Sequence, residues 1–246
     1  MKRLCLLFSF VTVLGFGQDH YIGFTGGYSY SSANILSGTS GNTLPQHLYF
    51  GELNYQFHPE SWFYFNIGLR YDRKGFQIND EHVVRKVNDA ENQSDTLGNY
   101  TYDFHKVGVP LKIGFKLGGK VFFQFAMGVI PSYSILSNAS WTLNYQGTEI
   151  ESSSIGNWTN IKNFELPWIG EIGFGAHLGE NVMLNFLAGY TQSLTKHLLP
   201  NQVVENNVVT TDFRTVRFKG IHASIGLYFR LHKKQQKLQK FTPSSE

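Results

Sequence analysis

The sequence predicts an all-β fold: a closed up-and-down antiparallel transmembrane β-barrel of about eight strands, with short periplasmic turns and long extracellular loops. Three observations predict it. Apolar residues alternate with polar or small residues in several segments, which is the pattern of a two-faced strand. Short and long links alternate between these segments. Finally, aromatic residues make up 15% of the 246 residues and there are 25 Gly against 7 Pro, a composition that favours strands and tight turns.

Eight segments carry the alternating pattern. In the clearest one, apolar residues occupy every second position from Phe63 to Tyr71, and Asn66 and Arg70 are among the residues between them. A second segment runs from Val107 to Leu117 with lysines on its other face. The remaining six segments begin near residues 20, 49, 121, 172, 182 and 221. An even number of strands is what a single-chain bacterial barrel requires.

The links between these segments fall into two classes that alternate along the chain. The short links are tight turns at residues 58–61, 118–120 and 179–181, and the long links, rich in Asn, Ser and Thr, cover residues 32–46, 74–100, 137–163 and 194–215. Outer-membrane barrels sort their connections in this way, which places both termini in the periplasm. A soluble exported barrel is the structural rival, because half-buried strands also alternate. However, so many outward aromatic residues would aggregate in water, which favours the membrane.

Two prolines conflict with a simple strand assignment. Pro110 and Pro167 lie inside apparent strands, where each removes a backbone donor from the ladder. A closed barrel has no free edge at which to place them. We therefore expect a bulge, or a strand that begins later, at both positions.

The chain divides into three predicted regions. Residues 1–17 are expected to be a signal peptide, because Lys2 and Arg3 precede an apolar run that ends in small residues. Residues 18–231 form the predicted barrel domain, and residues 232–246 a basic periplasmic tail. The only cysteine, Cys5, lies in the signal segment. Disulfides and thiolate chemistry are therefore not expected in the mature protein.

The charge distribution argues against a nucleic-acid partner. The net charge is +3. Lys2 and Arg3 contribute +2 and residues 233–246 contribute +3, which leaves −2 for residues 18–232. A body without positive excess lacks the electrostatic requirement for binding a polyanion. No run of 18 apolar residues follows the signal segment, so any crossing of a membrane must be made by strands.

The face opposite the apolar residues predicts a polar lumen. We expect a network of charged side chains there, formed by Glu52, Arg70, Lys112, Glu171 and His222. The interior of an eight-stranded barrel holds little more than its own side chains, which favours a structural network of ion pairs. A narrow channel or small-solute conduit through the same residues is the alternative.

A second alternative is a lipid-modifying outer-membrane enzyme. The sequence His222-Ala223-Ser224 places a His and a Ser on one face of the last strand, a spacing that a nucleophile and its base could use. Outer-membrane lipid A deacylases carry a similar His-x-Ser pair, but parity points both residues here into the lumen. The nine His residues have no paired spacing of the kind that binds metals. We therefore expect no catalytic residue, no metal and no cofactor.

A family resemblance adds to this interpretation. The segment Val107-Gly108-Val109-Pro110-Leu111-Lys112-Ile113-Gly114 resembles a strand of the PorT-like outer-membrane β-barrel proteins of Bacteroidetes, and Ile225-Gly226-Leu227-Tyr228-Phe229 resembles the last strand of that family. The resemblance implies a location in the outer membrane, contact with its lipids, and a role that is structural, adhesive or accessory to protein export. Other envelope or secretion proteins are the partners that such a role suggests.

Overall fold

The computed structural model describes residues 19–36, 42–87, 90–145, 148–155, 163–205 and 208–231. None of these residues forms a helix that is long and apolar enough to cross a membrane. All regular elements in the described ranges are β-strands. They are β1 (Asp19–Ile35), β2 (Asn42–Glu60), β3 (Phe63–Val87), β4 (Ala90–Gly108), β5 (Leu111–Gly118), β6 (Val121–Val129), β7 (Ser132–Tyr145), β8 (Thr148–Ile155), β9 (Phe164–Glu165), β10 (Pro167–His177), β11 (Val182–Ser193), β12 (His197–Glu205) and β13 (Val208–Arg230).

These strands close into a ring of eight barrel strands. The thirteen elements make eight barrel strands because some barrel strands are interrupted. The consecutive pieces of one barrel strand are β4 with β5, β6 with β7, β8 and β9 with β10, and β11 with β12. Strand β1 closes the ring by pairing antiparallel with β13, from Tyr21 opposite Arg230 to Ile35 opposite Val216. Closure satisfies the backbone donors and acceptors that lipid cannot satisfy. The predicted fold class is confirmed.

The four long links differ from expectation in one respect. The sequence predicts loops there, but most of their described residues continue the strands beyond the apolar part of the barrel. Strands β3 and β4, for example, pair to Val87 opposite Ala90. We call this continuation the extension; its described strand residues are 31–35, 42–48, 72–87, 90–106, 136–145, 148–155, 197–205 and 208–220. It lies on the extracellular side, because the short turns of such barrels are periplasmic.

The two faces of the barrel wall exchange polarity where the extension begins. Along β3, Phe65 and Leu69 face outward and are 42% and 55% exposed, whereas Phe76 and Ile78 face inward and are fully buried. Strand β13 shows the same change, since Ile221 and Ile225 are exposed below it and Val216 and Phe218 are buried above it. Below the change the outer face meets lipid, and above it the outer face meets water. The apolar side chains therefore move from the outside of the wall to the inside.

Strand β7 makes this change with a bulge. Its pairing with β4 shifts register between His105 and Lys106, whose partners are Leu136 and Ser134. The skipped residue, Ile135, is exposed to the same side as Tyr133. An extra residue of this kind reverses the facing of every residue after it. Ala139 therefore faces the interior although it is an even number of positions from Tyr133.

Glycines shape the periplasmic turns of the wall, and prolines mark breaks at the opposite ends of two strands. Gly118 and Gly179, in two of the predicted short turns, have φ of 128° and 82°, a conformation that disfavours any residue with a Cβ. Pro110 lies in the gap between β4 and β5, and Pro167 is the first residue of β10. Their carbonyl oxygens still accept hydrogen bonds from Gly68 and Ile130, at 3.2 and 2.9 Å. The ladder therefore tolerates both prolines at breaks between strands.

Four aromatic rings in the lumen each lie over a glycine of the neighbouring strand. The pairs are directly opposite in register: Tyr64 with Gly114, Phe122 with Gly175, Tyr228 with Gly23, and Phe50 with Gly27. A ring that covers a glycine fills the space that the missing side chain leaves and helps to fix the strand register.

Replacing Gly114 with valine should destabilise the barrel. A Cβ at this position would lie 2.1 Å from Cζ of Tyr64, so the ring has to move within a closely packed lumen. We expect a loss of about 1–3 kcal/mol, measured as a lower temperature at which the compact form disappears on an SDS gel. Gly26→Val is the control, since a Cβ at Gly26 meets nothing within 4 Å. Equal melting of the two variants would contradict the prediction.

Candidate functional site in the barrel lumen

The structure brings together all five side chains that the sequence places in the lumen. Glu52 accepts contacts from Arg70 at 3.4 Å and from Lys112 at 3.0 Å. Lys112 also lies 3.1 Å from Glu171, and Glu171 lies 3.1 Å from Nε2 of His222. The five residues come from β2, β3, β5, β10 and β13. The contacts therefore cross the lumen and connect strands that are distant in sequence.

Four more charged residues, which the sequence analysis missed, continue these contacts into the lowest part of the extension. Arg70 lies 3.6 Å from Asp72, which is 4.0 Å from Lys74. Lys74 lies 3.2 Å from Glu165, and Glu165 also pairs with Lys106. A signal for them existed, because Asp72 and Lys74 follow Arg70 with a period of two. We call the nine residues the lumen ion chain: Glu52, Arg70, Asp72, Lys74, Lys106, Lys112, Glu165, Glu171 and His222.

The lumen ion chain is neutral apart from the histidine and is closed to water. Its four carboxylates alternate with four cations, so every carboxylate has a cationic neighbour within 4.0 Å. Among the five predicted members, exposure runs from 2% for Arg70 to 7% for Lys112. Phe50 packs against the chain, with the Arg70 guanidinium 3.7 Å from its ring centre. Removing one member would leave a buried charge without its partner, which is costly.

An apolar core fills the part of the extension that lies above the lumen ion chain. Phe218 packs against Phe104 and Phe76, with ring centres 5.1 and 6.0 Å apart. The Tyr102 hydroxyl donates to the Pro200 carbonyl at 2.6 Å, and burial raises the pKa of Tyr102 well above its ordinary value. The buried members of this core are Ala33, Phe76, Ile78, Val83, Tyr100, Tyr102, Phe104, Ala139, Leu143, Leu199, Val216 and Phe218.

A smaller packed group fills the periplasmic end of the lumen. Lys116 extends there with its ammonium 4.8 Å from the ring centre of Phe122 and 5.1 Å from that of Tyr64. Its Nζ also lies 2.9 Å from Sδ of Met183. Cations are attracted to aromatic faces at such distances. Within the described ranges, the lumen is thus packed at three successive levels: this group, the lumen ion chain and the apolar core.

His222 and Ser224, considered as a base and a nucleophile, are not hydrogen-bonded to each other in the described structure. His222 Nε2 faces Glu171, while its Nδ1 and the hydroxyl of Ser224 make no hydrogen bond with described residues. Nor do the described residues contain a group of three or more His, Cys, Asp or Glu that could hold a metal ion. Glu171 pairs with Lys112 and His222, and these contacts join strands across the lumen.

A closed antiparallel barrel with an apolar outer belt and an ionic lumen defines the class of integral outer-membrane proteins. The sequence matches the family described as outer membrane protein beta-barrel domain over residues 16–198. The chain belongs to this family and is an outer-membrane β-barrel protein. No curated relative matches the sequence.

Several solved structures are similar to this chain at low identity. The outer-membrane protein OprG of Pseudomonas aeruginosa is 12% identical, with 88% of this chain and 97% of that chain covered and a TM-score of 0.46. The outer-membrane protease OmpT of Escherichia coli is 9% identical, with 87% and 95% covered and a TM-score of 0.41. The attachment invasion locus protein Ail of Yersinia pestis is 12% identical, with 86% and 99% covered and a TM-score of 0.35. At this level of identity and TM-score, these similarities do not indicate an activity or a partner for this chain.

Proposed function

We propose that this protein is a closed, non-catalytic scaffold in the outer membrane that presents its extension to other envelope or secreted proteins, in adhesion or in protein export. The observation that carries the proposal is the packing of the lumen. Ion pairs and an apolar core fill it at successive levels, and the largest buried side chains include Arg70, Lys106 and Phe218. A barrel with a filled lumen acts through its outer surface. Here the extension carries part of that surface beyond the membrane.

The export role is the finer part of this proposal. It is supported by the resemblance of residues 107–114 to the PorT-like family and by the continuation of the strands as an extracellular β-structure. Asn99 and Phe213 are among the outward residues of the extension that are exposed. A scaffold of this kind contributes contacts rather than a reaction.

Conductance tests the closed lumen directly. Purified protein inserted into a planar bilayer should give no current steps, because side chains occupy the lumen. Steps of reproducible size would overturn the closed scaffold and favour a conduit for small solutes. A variant that removes packing, Phe104→Ala with Phe218→Ala, serves as the comparison, since it empties part of the apolar core while keeping every residue of the lumen ion chain.

Deletion of the gene from the native host tests the role in export or adhesion. The proposal expects fewer secreted proteins in the medium or weaker attachment of cells, with full recovery by the wild-type chain and by Ser224→Ala. Unchanged secretion and attachment would contradict the proposal. Loss of lipid A acyl chains that depends on Ser224 would instead show the lipid-modifying enzyme.

A further inference from the structure

One side of the barrel carries cationic side chains just above the apolar belt. On β13, Lys219 and Arg217 follow Ile221 at alternate positions and face outward like it. Lys196, in the link between β11 and β12, is exposed next to His197, which pairs with Val216. Lys196 therefore lies at the level of Arg217. We call Lys196, Arg217 and Lys219 the cationic patch.

The height of the patch matches the headgroup layer of the outer leaflet. A strand advances about 3.3 Å per residue, so Lys219 and Arg217 lie roughly 5 and 10 Å above Ile221 for a tilt of about 45°. The headgroup layer on each side of a bilayer is about 5–8 Å thick. Ile221, 57% exposed, marks the upper edge of the belt on this strand. Lys219 therefore lies within the headgroup layer and Arg217 just above it, from where its long side chain can reach down to the lipid phosphates.

The charges of the patch are not neutralised by the described part of the chain. None of the three cations forms an ion pair with a described residue, and the buried Nε of Arg217 has no hydrogen-bond acceptor there. Lys219 is opposite Gln192 and Arg217 is opposite Asn34, both neutral. The patch thus carries an unbalanced charge of +3. On another part of the wall, Arg73 pairs with Asp103 at 2.5 Å, so that region is neutral.

Apolar and aromatic side chains lie directly below the patch and indicate what kind of anion it fits. Ile221 is 57% exposed, Tyr30 opposite it on β1 is 38% exposed, and Tyr190 lies opposite it on β11. An inorganic anion would gain nothing from these neighbours, whereas an amphiphile places its phosphate on the cations and its chains on the apolar surface. Anionic membrane lipids attract basic residues at this level of a membrane protein.

From these observations we infer that the cationic patch binds the phosphorylated headgroup of an outer-leaflet glycolipid, whose acyl chains continue down the belt beside Ile221. The patch would fix one lipid on one side of the barrel and so give the barrel a defined orientation toward its lipid neighbours. This inference requires only the outer-membrane location and does not depend on the proposed scaffold role.

Native mass spectrometry of protein released from phosphatidylcholine nanodiscs that contain a minor fraction of diphosphorylated lipid A tests the inference. The wild-type protein should retain lipid A adducts, and Arg217→Gln with Lys219→Gln should retain at least about tenfold less, as expected for the loss of charge-assisted contacts. Arg73→Gln with Lys120→Gln removes the same charge from the paired region and the periplasmic turn, and should keep the adducts.

Three results would overturn the inference: equal loss in both double variants, equal retention of dephosphorylated lipid A, or displacement of the lipid by inorganic phosphate at similar concentration. Both double variants change outward side chains, and their heat-dependent gel mobility verifies folding. Should either fail to fold, Lys196→Gln in the exposed link is the substitute, with Lys120→Gln alone as its control and the same expected direction.

Discussion

Glu165→Gln should remove about 3–5 kcal/mol from the stability of the barrel. Glu165 is fully buried and pairs with both Lys74 and Lys106. The amide leaves Lys106 without a carboxylate partner, whereas Lys74 retains Asp72 at 4.0 Å. The measurement is the denaturant concentration at which folded protein in detergent loses its compact gel mobility. We expect the midpoint to fall strongly.

The half-buried Arg73–Asp103 pair on the outer face supplies the control for this prediction. Asp103→Asn breaks the contact with Arg73, whose side chain is 27% exposed, and pairs of this kind contribute at most about 1 kcal/mol. The double variant Glu165→Gln with Lys106→Met should recover part of the loss, because it removes the cation that has no partner. A midpoint for Glu165→Gln equal to that of Asp103→Asn would refute the role of the lumen ion chain.

Phe218→Ala should open the extension while leaving the membrane-spanning part folded. Phe218 contacts Phe76 and Phe104, and Lys106 lies 4.3 Å from its ring centre. Loss of a buried phenyl ring costs about 3–5 kcal/mol. We expect protease added to intact cells to cleave the variant in the extension, whereas wild-type protein resists.

The comparison for Phe218→Ala lies on the same strand. Phe213 is 40% exposed on the outer face, so Phe213→Ala removes a ring of equal size without opening the apolar core and should retain resistance to protease. If Phe218→Ala were equally resistant, the apolar core would not be what holds the extension together. Retained heat-dependent mobility of the cleaved product would show that the barrel below is intact.

Much of the membrane-spanning part could be predicted from the sequence, because lipid imposes a strict rule. Outward residues must be apolar, so Phe65, Ile67 and Leu69 identify both a strand and its facing. The opposite positions then place Arg70 and Lys112 in the lumen. The signal peptide and the basic tail lie outside the described residues, and the PorT-like role remains a prediction.

The extension could not be predicted by the same rule. Residues 74–100 have a polar composition, which resembles a loop, and their apolar residues, such as Phe76 and Ile78, occupy the opposite parity from those of the belt. A pattern that changes parity within one strand looks irregular when a single rule is applied to all of it. Asp72, Lys74 and Lys106 keep the parity of Arg70 and Lys112 and were missed because they lie just outside the predicted strands, which end at Tyr71 and begin at Val107. Glu165 was missed because its position depends on pairings between distant segments.

The exchange of polarity along each long strand also protects the barrel against slippage. If β13 moved by one residue relative to β1, Ile225 would turn into the lumen and His222 toward lipid, while Phe218 would leave the apolar core for water. A shift by one residue is therefore penalised twice, once in the membrane-spanning part and once in the extension. A barrel with one uniform pattern has this protection only within the bilayer. Here a single strand register places apolar residues against lipid in the membrane-spanning part and away from water in the extension.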